Sequence, residues 1–63
     1  MSTYRYGSWT SRGYSDYGVK FYSVDKKTLF GWREVSWWHI GDEGYKRMMD
    51  VVEQLKKQGH LVL

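Results

Sequence analysis

The side chains able to do acid–base or nucleophilic chemistry are few, and their spacing limits each of them. Asp50 and Glu53 stand three positions apart, close enough on a helix for two carboxylates to divide general acid and general base work. Both fall beside Lys46 and Lys57 on a charged helix face, so they read as solvated surface charge. His39 and His60 are the only imidazoles and there is no cysteine, too few soft ligands for a structural zinc centre. No serine sits in a Gly-x-Ser-x-Gly elbow. Gly41-Asp-Glu-Gly44, followed by Lys46 and Arg47, has the glycines of a phosphate loop but not Gly-x-x-x-x-Gly-Lys-Ser/Thr. Two carboxylates also occupy the helix end where an anion would dock, so this is a tight strand-to-helix connection. A non-catalytic protein without metal or cofactor is expected.

Rings dominate instead. Four Trp, six Tyr and two Phe crowd into 63 residues, and Tyr45 is the only one in the helical half. Trp37 and Trp38 are adjacent, and neighbours on a strand point to opposite faces, so both faces must supply a ring-sized site. One face is the core, to which Phe21, Trp37 and Tyr45 are assigned, because large apolar side chains are usually buried. The other is a contact surface. Trp, Tyr and Arg are the residues most enriched in interface hot spots. A larger protein is therefore the leading partner, with Trp32 and Trp38 as anchors, Arg33 and Tyr22 beside them, and an inhibitor or adaptor role. The alternative is a single-stranded nucleic-acid binder, with bases stacked on Tyr4, Tyr6 and Trp9 and phosphates on Arg5 and Arg12. No Arg-Gly-Gly repeat and no RRM or KH signature supports it. A third option is a sponge holding small nucleotides between paired rings.

Composition narrows the setting. A chain of this length buries only about 60% of the surface its unfolded form exposes, and without cysteine it lacks a staple. A homodimer, or stabilisation by the partner, is the expected remedy. The dimer would pack the Trp32 and Trp38 faces together or pair free strand edges. The alternative cover is the amino-terminal segment folding back, with Trp9 and Tyr14 over that face. No apolar run approaches the roughly 18 residues of a membrane span, nor does the start have the apolar stretch of a secretory signal. A cytoplasmic location and no membrane partner are expected. The net charge is +3. Its excess lies before residue 42, which points any polyanion to the sheet half.

Periodicity places these residues. Tyr45, Met48, Met49, Val52 and Leu55 recur at three and four, predicting a helix over about 42–58 with Asp42 as N-cap and Gly59 closing it. Glu43 with Arg47, and Glu53 with Lys57, are spaced for ion pairs. Gly44 in the first turn is a local weakness. Residues 19–24 and 32–40 read as strands, with the reversal at 25–28 or nearer Gly31. On the second strand, alternation puts Val35 and Trp37 against the helix and leaves Trp32, Glu34, Ser36 and Trp38 on the open side. Residues 3–10 form a first strand, the alternative being a flexible aromatic arm over 1–17, and the ending His60-Leu-Val-Leu63 suits a short fourth.

The predicted fold is a single α+β domain over 1–63: a small antiparallel sheet of three strands, with a short fourth, packed on one carboxy-terminal helix. The run Thr28-Leu-Phe-Gly-Trp32 inside a hairpin before a capped helix resembles short bacterial and phage open reading frames. That resemblance implies an accessory protein that binds and modifies a larger host factor.

Overall fold

The computed structural model describes residues 2–10 and 18–63. Rings and β-branched residues make three strands, β1 (Thr3–Thr10), β2 (Lys20–Thr28) and β3 (Gly31–His39); then come helix α1 (Asp42–Lys57) and β4 (Leu61–Val62). The sheet order is β3-β2-β1-β4, an α+β fold. β1 and β3 run antiparallel to β2, whereas β4 lies parallel to β1. Topology requires this. β3 runs in the same direction as β1, and α1 carries the chain back along one face, so β4 re-enters in the direction of β1.

The strand expectation for residues 3–10 holds; the rest of the segment considered as an arm, residues 11–17 with Arg12 and Tyr14, lies outside the described residues. The β2–β3 reversal is the later of the two expected. Gly31 takes φ 110°, while Leu29 and Phe30 keep negative φ. Thr28 Oγ1 accepts the Phe30 N–H at 3.2 Å and donates to the Gly31 carbonyl at 2.8 Å. A glycine at positive φ closing a short hairpin removes the need for any strained residue at the tip.

The helix begins one residue earlier than an Asp42 cap requires. Gly41 is the N-cap at φ 140°, no side chain caps it, and its carbonyl accepts the Tyr45 N–H at 2.9 Å. Asp42 and Glu43 in the first turn contribute charge opposite the helix dipole instead. Arg47 pairs with Glu43 at 2.9 Å, while Glu53 and Lys57 do not reach ion-pair distance. At the other end, the His60 N–H bonds the Leu55 carbonyl at 3.1 Å and the Gly59 N–H bonds that of Lys56 at 3.0 Å. This is a Schellman closure with Gly59 at φ 88°. Gly59→Ala should cost about 1–2 kcal/mol, read as a lower midpoint in urea unfolding, because alanine disfavours the left-handed region.

Val24, Val52 and Met48 are buried between sheet and helix with Tyr4, and Tyr6, Tyr22, Trp38, Met49, Leu55 and Val62 pack around them. The core is thus not where alternation alone puts it. Val24 pairs with Ser36 but Asp25 pairs with Glu34, so Val35 is an extra residue in β3. A bulge of one residue reverses which side of the sheet the following residues face. Trp38 therefore packs on the helix side, and Trp37 joins Trp32 and Glu34 on the open side. Val35 is exposed. Phe21, Trp37 and Tyr45 all fall outside the core: Phe21 and Trp37 meet edge-on across the open face, and Tyr45 flanks Tyr22.

Gly44 is a fitted contact, not a weakness. A Cβ there would stand 2.1 Å from the His39 carbonyl oxygen and 3.3 Å from the Tyr22 ring. Only glycine lets the first helical turn lie against the end of β3.

Candidate interaction face

The sheet face away from α1 is built from alternate residues of three strands: Arg5, Gly7 and Trp9 from β1, Phe21, Ser23, Asp25 and Lys27 from β2, and, on either side of the bulge, Trp32, Glu34, Trp37 and His39 from β3. Its floor is polar and closed. Ser23 and Asp25 are 1% and 6% exposed although no helix covers them. Arg5 Nε donates to Asp25 Oδ2 at 2.9 Å, Ser23 Oγ donates to Asp25 Oδ1 at 3.1 Å, and Trp9 Nε1 donates to Ser23 Oγ at 2.6 Å. Among the described residues no buried side-chain polar atom lacks a partner.

Rings roof this network. The Arg5 guanidinium lies 4.5 Å from the centre of the Trp32 ring and 4.9 Å from that of Trp9, within cation–π range of both. The Trp9 indole leans back over Gly7, where a Cβ would stand 3.5 Å from it. Phe21, Trp37 and His39 continue the surface as edge-to-face pairs at 6.5 and 5.1 Å. A shallow groove of about 230 Å³ runs between Trp9, Trp32, Phe21 and Glu34. The result is an aromatic surface on which Trp9 and Trp32 are held in place by Arg5.

The residues singled out from sequence do not all meet here. Of the expected protein-binding set, Trp32 lies on this face. Trp38 and Tyr22 pack beside the core on the helix side, and Arg33, paired with Lys26 across the hairpin, is exposed near its tip. The nucleic-acid set is split as well. Tyr4 is buried in the core and Tyr6 packs against it, whereas Arg5 and Trp9 are on the open face. Arg12 lies outside the described residues. Missed were Trp37, Phe21, His39 and the Ser23–Asp25 floor; the only available signal was the chain of alternate polar residues in β2, which read equally well as solvent-facing.

The charge of the face differs from the expectation too. Arg5 and Lys27 are matched by Asp25 and Glu34, so the formal charges of the face's acidic and basic side chains cancel. The basic excess sits at the ends of the strands. Asp50 and Glu53 are exposed on α1. No helix among the described residues is long and apolar enough to cross a membrane. Comparison of the chain with protein-family models, curated proteins and solved structures finds no match.

Proposed function

We propose that the protein is a non-catalytic binding module that docks a larger protein through the open sheet face, as an adaptor or inhibitor. One observation carries this: three tryptophans share a face of zero net charge, two of them held by the guanidinium of a half-buried ion pair. Such rings supply contact area with little conformational freedom left to lose, so more of their burial appears as affinity. Trp32 and Trp37 are the central anchors, with Trp9 and Phe21 around them. A cysteine-free composition suits a reducing cytoplasm.

The uncharged face and the split of the Tyr4–Arg12 set argue for protein over nucleic acid. A phosphate chain gains from unpaired cations, and Arg5 is already committed to Asp25. A symmetric homodimer through the same face is the simplest way to cover it without another partner. Its melting temperature would rise with concentration.

Capture from the native host lysate after nuclease treatment should recover the same protein that the wild type retains without nuclease. Trp32→Ala with Trp37→Ala should lower that recovery by about tenfold or more while far-ultraviolet circular dichroism is unchanged. Recovery by the folded double variant at the wild-type level would show that another surface does the binding.

A further inference from the structure

The hairpin tip is the most exposed apolar feature among the described residues. Leu29 and Phe30 are 98% and 99% exposed, so neither ring nor branched chain rests on any part of the fold. Directly below them β2 and β3 pair Lys27 with Trp32 and Lys26 with Arg33. The helix brings more charge to the same end. β4 begins beside Thr3, next to the Tyr4 that pairs with Lys26, and the last turn of α1 with Lys56 and Lys57 is tied to β4 by the Gly59 closure. Among the described residues, none of these five cations lies within ion-pair distance of a carboxylate. Asp25 is occupied by Arg5, which leaves Glu34 as the one free acid among the hairpin's facing pairs.

We propose that this end of the domain docks on an anionic lipid surface, with Leu29 and Phe30 entering the headgroup–acyl boundary and the lysines and Arg33 above it on the phosphates. The contact goes beyond the protein-binding face, shares only Lys27 and Trp32 with it, and needs no membrane span. Two apolar side chains alone hold a protein weakly at a bilayer, and surface cations supply the second attraction. Each Lys or Arg close to an anionic leaflet strengthens binding by about fivefold. Trp32 stands at the level where an indole favours the interface. A protein pocket for the tip would explain Leu29 and Phe30 but not five unpaired cations around one end.

The test is co-sedimentation of the full chain with vesicles of about three parts phosphatidylcholine to one of phosphatidylserine, and with pure phosphatidylcholine. Binding to the first and not the second is expected, weakening as salt is raised. Leu29→Ser with Phe30→Ser, exposed positions whose change leaves the core untouched, should reduce it at least tenfold. Lys27→Glu with Lys57→Glu should do the same. Absence of binding to the anionic vesicles would overturn the proposal, as would binding that survives the serine variant. A photo-reactive residue at position 30 that cross-links a protein while the vesicles are not bound would assign the tip to a protein pocket instead.

Discussion

Gly44→Ala should destabilise the protein by at least about 3 kcal/mol, most of the stability of a domain this small. Two effects oppose each other. Alanine is the better helix former by about 1 kcal/mol, so a solvent-facing glycine at this position would gain from the exchange. The methyl, however, would stand 2.1 Å from the His39 carbonyl oxygen, a backbone atom at the end of β3 that cannot rotate away. Relief requires the helix to lift from the sheet, opening the contacts of Met48 and Val52 with Val24. Overpacking of this kind costs about 1–3 kcal/mol where side chains can yield, and more where they cannot. A small domain with one thin core has only about 3–5 kcal/mol to lose. Urea unfolding followed by circular dichroism reads the outcome. A variant as stable as the wild type would show that the helix does not approach β3 this closely.

The second large effect is expected at Asp25. Asp25→Ala should cost about 2–3 kcal/mol, because it strands the Arg5 guanidinium between two indoles and removes the acceptor of the Ser23 hydroxyl. Arg5 is more than a third exposed, so water recovers part of the loss and the figure stays below that for a fully buried pair. Arg5→Met should cost less, since its apolar stem still fills the space between Trp9 and Trp32. In a double-mutant cycle the two changes should be less than additive by about 1 kcal/mol or more. Additive costs would mean that the ion pair contributes nothing beyond its packing. The same variants should alter tryptophan fluorescence, since Asp25 acts on Trp32 through Arg5.

Which parts of this were legible follows from how local the signals are. The helix and its glycine closure rest on periodicity and capping within one segment, and they stand where the spacing put them. β1 was legible from its residues, and β4 from three apolar residues beyond a glycine. The inward face of β3 was not. Alternation fixes a face only while the ladder is regular, and one extra residue at Val35 exchanges Trp37 and Trp38. Nothing in Glu34-Val-Ser36 announces a bulge. Gly44 misled for a related reason: helix propensity is a property of the segment, whereas the His39 carbonyl arrives from another element. The aromatic excess correctly implied a second ring-bearing face. That face also holds a satisfied ion pair, which depends on Arg5 and Asp25 lying opposite each other in a register the sequence does not display.

The bulge at Val35 also bears on solubility. β3 is the outermost strand on its side of the sheet among the described residues, and most of its side chains are exposed. A straight strand of that length, rich in tryptophan and free of proline and lysine, would offer an unbroken row of amides and carbonyls to any extended chain it met, the geometry from which fibrils grow. The extra residue breaks that row near its middle and kinks it, so an incoming strand finds two short stretches out of step with each other. One inserted residue thus both sets Trp37 rather than Trp38 on the open face with Trp32 and discourages open-ended growth of the sheet.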